Sequence, residues 1–64
     1  MVKVNGELRD IDGKSAGEYL LSAGYDMKRV AVELNGDILP KAEYDETILN
    51  DGDSLEIVSF VGGG

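Results

Sequence analysis

The chain has 64 residues, 13 acidic and 6 basic side chains, a formal charge of −7, no cysteine and no histidine. A length of this order makes one domain, whose core supplies only about 3–5 kcal/mol of net stability. Composition excludes disulfides and leaves a structural zinc site only hard oxygen ligands; the acidic balance argues against nucleic acid, whose phosphates it repels.

Taken in chain order, "MVKVNGELRDI" opens with alternation, Val2 and Val4 on one face and Lys3 on the other. Asn5-Gly6 is a strong hairpin signal, because both residues accept positive φ. The spacing predicts two strands, residues 1–5 and 7–11. "DGKSAGEYLLSAGYD" predicts a helix. Asp12 or Ser15 can cap it, and Ser15 with Glu18 has capping-box spacing. Ala16, Tyr19, Leu20 and Ala23 form one apolar stripe. Gly24 suits the position after the C-cap. Gly17 inside the helix costs about 1 kcal/mol against alanine.

"RVAVEL" predicts a strand with Val30, Val32 and Leu34 on one face. A turn at Asn35-Gly36 follows, then the apolar pair Ile38-Leu39, with Pro40 ending any pairing. "KAEYDETIL" is expected to be a loop or helical turn with Ile48 and Leu49 tucked inward. "NDGDS" is a turn, and "LEIVSFV" is the last strand. The order ββαβ(short helical turn)β implies an α+β fold of the β-grasp, ubiquitin-like kind, a mixed sheet with one main helix. Residues 1–61 are expected to form the domain, and 62–64 a flexible glycine tail.

The charge is unevenly spread. Residues 1–32 balance Lys3, Arg9, Lys14, Lys28 and Arg29 against Glu7, Asp10, Asp12, Glu18 and Asp26. Residues 33–64 set Lys41 against Glu33, Asp37, Glu43, Asp45, Glu46, Asp51, Asp53 and Glu56. Such a surface suits a partner with a basic docking face, although acidity also serves solubility alone. No apolar run approaches the roughly 20 residues that span a bilayer. The start lacks a signal peptide's apolar stretch. Met1 is therefore expected to be the natural start of a soluble, cytoplasmic protein without a membrane partner.

Groups for catalysis are scarce. Without cysteine or histidine there is no thiolate and no proton relay at neutral pH, and the serines and Thr47 have no evident base. No enzymatic activity and no catalytic residue is expected of this chain. "DETILNDGDSLE" fails the spacing of a calcium-binding EF-hand loop, so Asp51-Gly52-Asp53 reads as a tight turn with Asx hydrogen bonds. No metal ligands and no bound cofactor are expected.

The chain ends "SFVGGG". Three glycines stabilise nothing, since each loses much conformational freedom on ordering. A phosphate-cradling loop needs a helix after its glycines, so these glycines are not expected to hold a phosphate in that way. A bare backbone, however, passes through a channel too narrow for side chains, and Val61 to Gly64 reach about 13–14 Å when extended. The alternative is a frayed terminus. In the last strand Leu55 and Ile57 point one way, Val58 and Phe60 the other. One helix covers one sheet face. Val58 and Phe60 are therefore expected to form an exposed apolar partner-binding patch leading to the tail, unless segment 37–49 folds over it, and Val61 is expected to join them in partner binding where the arm begins.

From Val30 onward the residues resemble the ThiS family, ubiquitin-like sulfur carriers of thiamine biosynthesis. The shared pattern is Asn35-Gly36, Ile38-x-Pro40, an aromatic at Tyr44, Leu49-x-x-Gly52-Asp53, Ile57 and Gly63-Gly64. Length and element order extend the resemblance to the whole chain. Tyr44 stands where the family often has tryptophan. The Gly-Asp turn and terminal glycines are shared with the molybdopterin-synthase small subunit and other β-grasp carriers; the Asn-Gly-x-Ile-x-Pro segment favours ThiS. The resemblance implies that a ThiF-like adenylyltransferase uses ATP to adenylate Gly64. A sulfur donor, such as a cysteine-desulfurase relay, then leaves a thiocarboxylate that serves thiazole synthase. Gly62 and Gly63 would be the arm. The alternatives are a molybdopterin-type sulfur carrier and a ubiquitin-like modifier of lysines.

Overall fold

The computed structural model describes residues 1–60. Strands β1 (Val2–Val4) and β2 (Glu7–Arg9) form the N-terminal hairpin, pairing Val2 with Arg9, Lys3 with Leu8 and Val4 with Glu7. Asn5 and Gly6 turn it with φ of 49° and 86°, the type I′ geometry whose twist matches the flanking strands. The strands are shorter than alternation predicts. Ile11, expected to end the second strand, lies beyond β2 and is buried in the core.

Helix α1 spans Ala16–Ser22. Ser15 caps it: its hydroxyl accepts from Glu18 N–H, and the Glu18 carboxylate accepts from Ser15 N–H. This reciprocal pair satisfies two donors that the helix start leaves unpaired. At the other end, Tyr25 N–H donates to the Leu20 carbonyl and Gly24 N–H to that of Leu21, with Gly24 at φ 86°. This is the Schellman closure. Ala16 and Leu20 are fully buried and Tyr19 packs against the core. Ala23 departs from the expected stripe: it is the C-cap and is exposed, because the helix closes one residue earlier.

A short 3-10 turn at Met27–Arg29, which the sequence did not announce, leads into β3 (Val30–Leu34). The second Asn-Gly turn, with φ of 52° and 88° at Asn35 and Gly36, produces a further strand, β4 (Asp37–Ile38). Where Ile38-Leu39 reads in the sequence only as an apolar pair, Ile38 pairs with Glu33 and Leu39 is buried. After Pro40 comes the expected helical turn, Lys41–Glu43, and then β5 (Ser54–Ser59). The sheet order is β2-β1-β5-β3-β4, with β1 and β5 parallel and the other neighbours antiparallel. This is the mixed sheet with one helix expected of a β-grasp fold.

The core lies between α1 and one sheet face, built from Val2, Val4, Leu20, Val30, Val32, Leu55 and Ile57. Segment 44–49 closes it at the helix start. Gly17 N–H donates to the Tyr44 carbonyl (2.9 Å) and Ala16 N–H to that of Thr47 (2.8 Å). Tyr44 and Leu49 are buried. Ile48, expected to be tucked in, is 49% exposed instead. It forms an antiparallel bridge with Ser15, and neighbouring residues of extended backbone point opposite ways. With Leu49 inward, Ile48 must face out.

Candidate functional site: the open sheet face and the end of the last strand

β5 is central, flanked by β1 and β3. Its alternation matches the expectation from sequence: Leu55 and Ile57 face the core, while Val58 and Phe60 are each 57% exposed. Segment 37–49 does not cover them; it closes the core at the start of α1, where Leu49 N–H donates to the Lys14 carbonyl and Gly13 N–H to that of Leu49. Phe60 N–H still donates to the Arg29 carbonyl at 2.7 Å. The strand direction is therefore held up to the last described residue. Val61, Gly62, Gly63 and Gly64, the other expected site residues, lie outside the described residues, as does the expected boundary between domain and tail.

On the β1 side, β5 outruns its partner. β1 pairs with β5 only as far as Val4 opposite Leu55. Beyond that, the Asn5 side chain takes over: its Oδ1 accepts from Ile57 N–H at 2.7 Å and its Nδ2 donates to the Ile57 carbonyl at 3.2 Å. The second turn asparagine acts at the start of the strand. Asn35 Oδ1 accepts from Ser54 N–H at 2.9 Å. Each Asn-Gly turn thus does two things, reversing the chain and pinning β5.

Residues that sequence reasoning did not single out share the open face. Ala31 pairs with Val58, Glu33 with Glu56, and Glu33 with Ile38. Paired residues point to the same side of a sheet, so these stand beside Val58, and all are exposed. The parity of β3 was readable in the sequence, with Val30 and Val32 inward and Ala31 and Glu33 outward. Which strand lay beside it was not.

Other candidate groups have structural work. Asp53 Oδ1 accepts from Asn35 Nδ2 (3.1 Å) and its Oδ2 from Asn50 N–H (2.9 Å), which is the tight Asx-bonded turn expected for 51–53. Asp51 contacts the Met1 ammonium, which holds its carboxyl below the usual carboxylate range. The Ser22 and Thr47 hydroxyls donate to the Tyr19 and Glu43 carbonyls. Burial pushes the Tyr44 hydroxyl above its ordinary pKa. Among the described residues no three metal-ligating side chains cluster, no pocket forms, and no helix is long and apolar enough to cross a membrane.

Comparison with known proteins extends over the chain as a whole. The model of the ThiS family matches residues 2–64. The chain is 41% identical over 64 residues to the sulfur carrier protein ThiS of Thermus thermophilus, with both chains fully covered. It is 48% identical over 62 residues to a thiazole synthase of Paramagnetospirillum magneticum; the match takes in 95% of this chain but only 19% of that longer protein. The crystal structure of the thiamine biosynthesis protein ThiS from Geobacter metallireducens superposes with a TM-score of 0.77 at 33% identity, covering 98% of this chain and 97% of that one. With the family match running from the first strand through the last glycine, and the same fold at a third of the residues identical, this chain belongs to the ThiS family.

Proposed function

We propose that this protein is a sulfur carrier for the thiazole moiety of thiamine, with the carboxylate of Gly64 as its reacting group. The observation that carries the reading is the family match over residues 2–64, which includes Gly62-Gly63-Gly64 and the strand that feeds them. A ThiF-type adenylyltransferase attaches AMP from ATP to the Gly64 carboxylate and releases pyrophosphate. A sulfur donor, such as the persulfide of a cysteine-desulfurase relay, displaces AMP to give an acyl disulfide, and a thiol reduces its S–S bond, leaving the thiocarboxylate and a disulfide. Thiazole synthase is the acceptor. A thiazole synthase that contains a segment 48% identical to this chain supports that pairing.

The division of labour follows from the chemistry. The carrier holds no histidine or cysteine, so the catalytic groups and the ATP site belong to its partners. Glycines beside the carboxylate remove steric bulk at the carbonyl and let the backbone enter a narrow channel. Val58, Phe60 and Val61 dock the carrier where the arm begins, because exposed apolar patches mark partner sites. Residues 1–61 act as the folded body and 62–64 as the arm.

Intact mass spectrometry tests the reading. Incubation with the adenylyltransferase, ATP and a sulfur donor should add about 16 Da, the change from COOH to COSH. The variant lacking Gly64 should fold normally and gain nothing. Ladders of larger conjugates would instead indicate a protein modifier. An unchanged mass with active partners present refutes the proposal.

A further inference from the structure

The open sheet face carries a feature that the folded chain itself does not need. Glu33 and Glu56 stand directly opposite each other on β3 and β5. Side chains in this relation start about 4.5–5.5 Å apart at Cβ, and like charges so placed are destabilising. Both are exposed. Neither takes part in an ion pair among the described residues, where the pairs formed are Met1 with Asp12 and Asp51, Arg9 with Glu7 and Arg29 with Asp26. Lys3 shares the face, opposite Ser54 and so diagonal to Glu56, and is in none of these pairs.

Apart from Lys3 and Ser54 toward the start of β5, the neighbours of the two carboxylates on this face are apolar. Ile38 flanks Glu33 on β4 and is 80% exposed. Ala31 and Val58 make the next row, and Phe60 follows. An unpaired double negative charge within an exposed apolar surface is complementary to one kind of group, a cation on an apolar stem. A guanidinium fits better than an ammonium, because its planar fork of five N–H donors can serve two carboxylates at once and is more weakly hydrated. A second copy of this chain is a poor occupant, since each copy carries −7 and like fields repel.

We propose, on the sulfur-carrier reading above, that the activating enzyme seats an arginine across Glu33 and Glu56 with apolar side chains beside it on Val58 and Phe60. The glutamate pair is a specificity determinant for docking. It selects partners by charge where the apolar patch alone would accept many. The free chain carries the repulsion, and the bound arginine relieves it.

The test compares two double variants of equal net charge, Glu33→Gln with Glu56→Gln, and Glu43→Gln with Glu46→Gln. Calorimetric binding to the purified ThiF-type adenylyltransferase with ATP is measured at low and moderate ionic strength. The first variant should bind about tenfold or more weakly, as close interfacial charge pairs do, and lose most of its salt dependence. The second should stay within about twofold. The free first variant should melt at the same temperature as the wild type or higher. Equal weakening by both variants, unchanged affinity of the first, or a lower melting temperature of the free first variant each overturns the inference. Mass gain at saturating enzyme is read separately. Wild type that binds without conversion refutes the carrier reading alone, while normal conversion with unchanged affinity of the first variant refutes the docking pair alone.

Discussion

The side-chain amide of Asn5 stands in for a strand next to Ile57, accepting from its N–H and donating to its carbonyl. β1 has already turned away at this level, so the amide is all that pairs this stretch of β5 on that side. Replacing Asn5 with glycine keeps a residue that accepts positive φ and removes only the amide. Two hydrogen bonds of ordinary net worth predict a loss of about 1–3 kcal/mol. Hydrogen exchange at Ile57 N–H should accelerate more than at Val32 or Val30. Equal protection at Ile57 in Asn5→Gly would show that the amide does not hold the strand.

Gly17 is dictated by a close approach rather than by backbone conformation. A Cβ built there would come within 2.1 Å of Asp45 Oδ1. On helix propensity alone, Gly17→Ala gains about 1 kcal/mol. In the wild-type background the gain should vanish or reverse, because the Asp45 side chain must swing away. In the Asp45→Ala background the full gain should appear. The coupling, read from urea unfolding of the four proteins, should be about 1 kcal/mol; additive effects would mean that Asp45 yields without cost.

Tyr44 predicts alkaline destabilisation. Its hydroxyl titrates higher in the folded chain because burial disfavours the phenolate. The stability it contributes is therefore complete below the ordinary tyrosine pKa of about 10 and is lost as pH rises through the folded value. Tyr44→Phe should flatten this fall in unfolding free energy as pH rises above the ordinary tyrosine pKa of about 10. An identical fall in the variant would assign it to other groups.

Phe60→Asp places a charge on the apolar patch without touching the core, since Phe60 is more exposed than buried. Melting temperature should stay near the wild-type value, while affinity for the adenylyltransferase falls at least tenfold, as for loss of an aromatic anchor. Unchanged affinity would remove Phe60 from the docking surface.

Much of the site was legible before any coordinates. The alternation Leu55, Ile57 against Val58, Phe60 decided which side chains of the last strand would be exposed. The capping box at Ser15 and Glu18 and both Asn-Gly turns are local devices, settled by a few neighbouring residues. Less local features escaped. β4 has only two residues, Asp37 and Ile38, too few for a periodic signal, and it exists because the Asn35-Gly36 turn folds it back on β3. Ile48 reads as core by hydropathy, but its bridge to Ser15 sets the parity that turns it outward.

By itself, the sequence determined the periodic elements, their caps and turns, the poverty of catalytic groups and the glycine ending, because each depends on residues a few positions apart or on composition alone. Tertiary structure alone decided that β5 lies between β1 and β3, that Asn5 reaches Ile57, that Gly17 meets Asp45, and that Glu33 faces Glu56. Those relations join residues as much as 52 positions apart. They arise only when the sheet closes around its central strand, which no short-range pattern encodes.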